Sequence, residues 1–202
     1  MAGYEIKISL RDIKPKIWRK MFVPSGLNFA EFQIMLNLGM GWHNCHLHEF
    51  EFPKTTTWVT NNKEIVEDYD SGFLEGLKAQ GFPVEVKRFL LSQETEIDDF
   101  LVVGSKFYYI YDLGDYWEHE IQVVKAADDY TLRYATVTGY SGNCPPEDCG
   151  GVGGYEDFLA IISDSKHKDY KRIKAWAESQ GYGDYDIDKA NIMLKDWKKY
   201  FR

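Results

Sequence analysis

In the strongly patterned segments before about residue 140, apolar side chains recur mostly at every second position. Beyond Gly150-Gly151-Val152-Gly153-Gly154 they recur at every third or fourth. A change of period from 2 to 3.6 is a change from strand to helix. Tyr4, Ile6, Ile8 and Leu10 alternate with Glu5, Lys7 and Ser9, the pattern of a half-buried strand. Residues 17–23, 46–52, 107–111, 116–124 and 132–138 read as further strands, the first two strands pairing across Asp12-Ile13-Lys14-Pro15. One early helix interrupts them. Asn28 and Glu31 have the spacing of a capping box, and Phe29, Phe32, Met35, Leu36 and Met40 follow at helical spacing, predicting a helix over 29–38 stopped by Gly39. Residues 54–84 carry no clear period, and 84–91 fits a strand or a short helix. After the glycines, Tyr155, Phe158, Leu159, Ile161 and Ile162 define one helix; Tyr170, Ile173, Trp176 and Ala177 define another, closed by Gly181; Asp186 caps a last one. Strands first and helices last predict an α+β fold: a mainly antiparallel sheet packed with helices, with a helical C-terminal extension. The expected organisation is a single domain over 1–202, sheet-rich with one early helix to about 150 and helical from about 151.

Composition narrows the function classes. Hydrophobic residues make up 44% and aromatic residues 16% of the 202, enough for an ordered core. With 24 Lys and Arg against 32 Asp and Glu, the net charge is −8, which repels phosphate backbones and disfavours non-specific nucleic-acid binding. Lys166, Lys168, Lys171, Arg172 and Lys174 form the one dense basic run, the pattern of a solvated helix face. No apolar run is long enough for a membrane helix, and Met1 to Lys7 lacks the apolar stretch of a secretory signal, so a cytoplasmic location without membrane partners is expected. Three cysteines, an odd count, argue against a disulfide framework; Cys45 reads as a small buried hydrophobe.

Three segments, residues 42–50, 111–119 and 145–155, concentrate side chains that carry chemistry, and with Trp42-His43, His46-Leu47-His48, Tyr111-Asp112, Trp117, His119 and Pro145-Pro146-Glu147-Asp148-Cys149 they together resemble the plasmid ORF-three-like family first described from an Ri plasmid. Trp42-His43 with His46-Leu47-His48-Glu49-Phe50 match its Trp-His-x-x-His-Leu-His-x-Phe segment. Tyr111 to His119 match Tyr-Asp-Phe-Gly-Asp-x-Trp-x-His, with Leu113 in place of the usual Phe. Pro145 to Gly151 and Gly154-Tyr155 match Pro-Pro-Glu-Asp-Cys-Gly-Gly followed by Gly-Tyr; Pro15, Ile17, Trp18 and Arg19 near the start and Asp186, Ile187, Asp188, Asn191 and Leu194 near the end also fit. The resemblance spans nearly the whole chain. It implies an α+β domain with a helical tail and carries no activity with it. Some members bear a resolvase-like label, but this chain has no serine-recombinase motif and no basic recognition helix.

If Leu113-Gly114 is a two-residue loop, Asp112 pairs with Asp115, Ile110 with Trp117 and Tyr108 with His119. Two carboxylates at the tip then suit a cation, although Asp115 and His119 lie about 13 Å apart along the strand. The competing role for these acids is bonding to local turn amides. His46 and His48, about 7 Å apart at i and i+2 on a strand, are the candidate metal ligands; Phe50 and Phe52 share their face, which equally suits two partly buried structural histidines. Cys144 and Cys149 are separated by four residues, wider than a zinc knuckle. Cys149 precedes a helix, where a thiolate is favoured, but Glu147 and Asp148 oppose that charge. The glycine run matches neither phosphate-binding fingerprint and suits a tight turn into a helix.

The expectation is that these segments converge in one polar cleft, with Asp112, Asp115, Trp117, His119, Glu147, Asp148, Cys149 and Tyr155 on its walls. Two function classes follow. One is a binding or interaction domain for an as yet unidentified ligand or protein. The other is a metal-dependent hydrolase with a divalent metal ion as cofactor and Glu147 or Asp148 as base. A mobile-element-associated nucleic-acid-binding protein is the third and weakest reading.

Overall fold

The structure, a computed structural model, describes residues 2–70, 72–83 and 87–201. It is an α+β protein built on one eight-stranded sheet. The strands are β1 (Gly3–Leu10), β2 (Trp18–Pro24), β3 (His48–Phe52), β4 (Thr57–Thr60), β5 (Arg88–Leu91), β6 (Lys106–Tyr111), β7 (Trp117–Ala127) and β8 (Thr136–Ser141). Their order across the sheet is β5-β4-β3-β6-β7-β1-β2-β8. Every described pairing is antiparallel except β4 with β5. The helices are α1 (Phe29–Met40), α2 (Lys63–Asp70), α3 (Phe73–Ala79), α4 (Gly151–Ser163), α5 (Tyr170–Ser179) and α6 (Ile187–Lys195). α2 and α3 occupy the stretch where no period is legible, so the sheet-rich part holds more than the one expected early helix. Of the ambiguous 84–91, the end is strand β5, and 84–86 lie outside the described residues.

α1 starts where its cap predicts: the Asn28 side chain accepts the Glu31 N–H and the Glu31 carboxylate accepts the Asn28 N–H. It runs past Gly39, the expected stop, to a C-cap at Gly41 with φ of 120°. Gly39 serves packing instead: a Cβ there would lie 2.5 Å from the Met21 side chain, so its absence lets the helix approach β2. Nearly every α1 residue is buried, as befits a helix apolar on most of its circumference. Phe29 and Phe32 pack on Phe50 at 4.8 and 5.7 Å between ring centroids, and Phe29 meets Phe52 at 5.7 Å.

Arg19, fully buried, closes the end of this helix. Its guanidinium donates to the carbonyls of Gly39 (3.3 Å), Met40 (3.0 Å), Trp18 (2.9 Å) and Ser141 (2.9 Å) and lies 3.6 Å from the Tyr185 ring centre. A cation at a helix C-terminus meets the negative end of its dipole. The loop over 41–47 therefore leaves a firmly held point.

Three strand expectations shift: β3 begins at His48 rather than His46, so the two histidines do not share a strand. The last strand covers Thr136–Ser141 rather than 132–138. The β6–β7 hairpin pairs Tyr111 with Trp117 and Tyr109 with His119, one residue away from the two-residue-loop register. The turn holds five residues, 112–116, and closes with the Tyr116 N–H on the Asp112 carbonyl at 2.6 Å. Asp112 and Tyr116 both take φ of 57°, a conformation more usual for glycine, and Asp112 tolerates it by accepting the Gly114 N–H on Oδ1. Because side chains alternate, the one-residue shift puts Tyr109, Tyr111, Trp117 and His119 on the core face in place of Tyr108 and Ile110.

Candidate functional site

The site is assembled around His46, which lies in the loop just ahead of β3. Its Nε2 stands 3.7 Å from Asp112 Oδ2, 3.6 Å from Glu147 Oε2 and 3.4 Å from Asp148 Oδ1. Asp112 comes from the β6–β7 turn; Glu147 and Asp148 come from the Pro145-Pro146 loop before α4. The donor atoms of His46, Asp112 and Asp148 lie mutually within 4.8 Å, and so do those of Cys45, His46 and Glu147. His46 is thus shared by two overlapping triads. Neither its Nε2 nor Glu147 Oε2 makes a hydrogen bond, and both atoms are buried.

Three contacts fix Glu147. Its Oε1 accepts the His43 N–H at 2.8 Å and the Tyr111 hydroxyl at 3.1 Å, while the preceding Pro145 carbonyl accepts the Trp42 indole N–H at 3.1 Å. The two prolines are themselves buried and hold the loop extended. Glu147 is only 5% exposed. Burial pushes its carboxyl above the ordinary carboxylate value, and the donors from His43 and Tyr111 pull part of the way back. The oxygen left over faces His46.

The other predicted residues divide into neighbours and structural members. Asp115 belongs to neither donor triad among the described residues and accepts the Gly150 N–H on Oδ2 at 3.0 Å, at the start of α4. The glycine run is thus occupied by a carboxylate of the chain itself, and it is tight: a Cβ on Gly151 would lie 2.5 Å from the Asp115 carbonyl oxygen, and one on Gly154 would lie 1.9 Å from that of Cys149. Trp117 and His119 are fully buried beside Trp42, at 6.0 and 5.1 Å between ring centres. His119 Nδ1 contacts the Tyr109 carbonyl at 3.0 Å, and burial lowers its proton affinity to about 4. Tyr155 is buried against Tyr182, hydroxyl to hydroxyl at 3.2 Å.

Cys149 is half-buried, and burial followed by the nearby Asp115 charge pushes its thiol up to about 12, opposing a thiolate at neutral pH. Cys45, expected to be buried, is exposed. It sits in the irregular 41–47 loop, where its N–H donates to the Tyr111 hydroxyl at 3.0 Å, and the side chain is left at the surface. His48 opens β3 with its side chain in the core, 2% exposed, and both ring nitrogens lack partners. It belongs to neither donor triad among the described residues. Two contributors lack a signal in the sequence: Tyr111, which the alternation marks only as core, and the backbone of His43, whose role no side-chain pattern reveals.

A family model described as plasmid pRiA4b ORF-3-like protein matches residues 2–193. The chain is 29% identical over 188 residues to "Uncharacterized protein y4hQ" of Sinorhizobium fredii, covering 93% of this chain and 85% of that protein. Its structure is similar to the crystal structure of MM3350, a protein of unknown function from Methanosarcina mazei Go1. That match has a TM-score of 0.70 and 26% identity, covering 92% of this chain and 93% of the other.

Proposed function

The chain belongs to the plasmid pRiA4b ORF-3-like family, and from the geometry of its own residues we propose that the His46 cluster is a divalent-cation site of a metal-dependent hydrolase. In this reading His46, Asp112 and Asp148 hold the cation. One observation carries it: an imidazole nitrogen surrounded by three carboxylate oxygens at 3.4 to 3.7 Å, with no hydrogen bond satisfying it. Four donors about 2.0–2.2 Å from a tetrahedral cation are separated by about 3.3–3.6 Å, close to these spacings. Three protein donors leave a position open for water or substrate. Glu147, buried and with Oε2 free, would be placed to act as general base for a water held there. Its raised proton affinity suits that task.

The rival occupant is a proton on His46, which would give an ion-pair cluster and no metal chemistry. Calorimetric titration of chelator-treated protein with Zn²⁺, Mn²⁺ and Ni²⁺ separates them. The expected result is one bound ion per chain, lost or weakened at least tenfold in His46→Ala. Wild-type protein that takes up none of the three ions, or His46→Ala that binds as well as wild type, ends the metal reading. The hydrolytic step is tested on the loaded protein with p-nitrophenyl acetate and bis-p-nitrophenyl phosphate. Glu147→Gln is expected to keep the ion and lose turnover; an ion-loaded wild type inert on both leaves a cation-binding domain without support for hydrolysis.

A further inference from the structure

Beside the His46 cluster lies a second concavity of about 300 Å³. Its wall includes the side chains of Gln33, Asn44, Asn61 and Gln93 together with His46 and His48. None of the described residues lining it is Lys, Arg, Asp or Glu, although those four types make up 28% of the chain. A pocket for a charged ligand is built differently, because a buried ionic group needs an opposite charge to replace its water. Four amides and two imidazoles suit a group that is polar and neutral.

His48 supplies the independent observation. It is 2% exposed, and neither ring nitrogen has a hydrogen-bond partner. Buried side-chain nitrogens are normally paired, and an unpaired one is unfavourable. An uncharged imidazole offers one donor and one acceptor. The surrounding amides are already oriented. Asn44 Oδ1 accepts from both Gln33 and Asn37, and Asn61 Oδ1 accepts the His48 backbone N–H at 3.1 Å, which leaves the Asn61 amide N–H₂ as an open donor.

We propose that this amide-lined pocket is the recognition site for an uncharged ligand group carrying an adjacent donor and acceptor, of the carboxamide or heterocyclic lactam class, read by His48 and Asn61. Placing that group beside a reacting centre rests on the cation reading above; the binding itself does not.

The test uses full-length protein carrying ¹⁵N-labelled histidine, titrated with uracil and with nicotinamide, and in parallel with benzoate and inorganic phosphate as charged counterparts. Each titration is run on chelator-treated and on zinc-loaded protein. The expected result is a saturable shift of the His48 ring nitrogens with uracil or nicotinamide, in chelator-treated protein as well, and none with benzoate or phosphate. Asn61→Ala is expected to weaken that binding at least tenfold while leaving zinc affinity unchanged. His48→Phe, checked for folding by its thermal melt, is expected to abolish it. Failure of both neutral probes at millimolar concentration to move His48 overturns the proposal, as does a stronger response to the charged probes. A response to uracil in a protein that binds no zinc keeps this proposal and removes only the cation reading.

Discussion

Tyr111→Phe removes one oxygen and leaves the ring in place against Trp42, 5.1 Å away, so it opens no large cavity. What it removes is the bridge from the 41–47 loop to Glu147: the hydroxyl donates to Glu147 Oε1 at 3.1 Å and accepts the Cys45 N–H at 3.0 Å. The Cys45 amide lies in an exposed loop and takes up water. Glu147, only 5% exposed, keeps the His43 N–H but loses the other donor to Oε1, which bulk water is poorly placed to replace. A hydrogen bond to a buried charged group contributes about 1.5–3 kcal/mol, so about 2 kcal/mol is expected at a pH where Glu147 is ionised. For a chain of this length that is a melting shift of about 4–8 °C. The sign of the pH dependence follows from the same contact. The hydroxyl favours the charged carboxylate, so its loss raises the proton affinity of Glu147 further. The penalty is therefore largest at high pH and shrinks as the pH falls through the Glu147 titration, where only a neutral bond of about 1 kcal/mol remains to lose. Urea unfolding at several pH values measures this. Tyr109→Phe, whose hydroxyl bonds the neutral Asn37 side chain at 2.7 Å, is the control and should show no such trend. A Tyr111→Phe penalty that stays constant with pH, or falls below about 0.5 kcal/mol, refutes the assignment of Tyr111 as the support of an ionisable Glu147.

His48 and His119 titrate near 3 and 4 in the folded protein and near 6.5 when unfolded, so between those values the unfolded chain binds more protons. Stability should be full above about pH 6.5 and fall by several kcal/mol toward pH 4, and His48→Phe should flatten that fall in denaturant titrations. Gly151→Ala forces a side chain into φ of +67° and against the Asp115 carbonyl, and should cost at least about 2 kcal/mol by chemical denaturation; a neutral result would contradict the close approach. Maleimide labelling followed by peptide mapping should find Cys45 modified first and the half-buried Cys144 and Cys149 much later; equal rates would contradict the burial.

Much of the fold is legible in the sequence because its signals are local. The Asn28–Glu31 cap, the alternation of β1 and the 3.6 period after Gly150 each need only neighbouring residues. The hairpin register is not local in this sense. Gly114 invites a two-residue loop, while the positive φ falls instead on Asp112 and Tyr116, whose residue types do not announce it. The candidate site is half legible. Glu147, Asp148 and Asp112 stand out as acids in irregular segments, and His46 as a possible ligand, but its expected companion was His48. Strand spacing suggested that pair; in the structure β3 begins only at His48, so the two histidines do not share a strand. Loop geometry turns His46 toward acids from two distant segments, and alternation cannot encode that. Likewise the glycine run is read correctly as a tight turn, while the group that fills it, Asp115, can be identified only once the hairpin is folded.

The five-residue turn has an effect on tolerance to change. Its two acids, three positions apart, answer to different masters: one faces His46, the other fastens α4. Their division of labour is set by the count of residues between Tyr111 and Trp117 rather than by the acids themselves. Deleting one residue while keeping both aspartates would leave a four-residue loop that can still close a hairpin. It would also rotate each acid to a new bearing. Such a chain would be hard to distinguish from the original by composition, yet His46 would stand without its partner. In comparing relatives, the spacing across this tip should therefore be aligned before any aspartate in it is counted as equivalent.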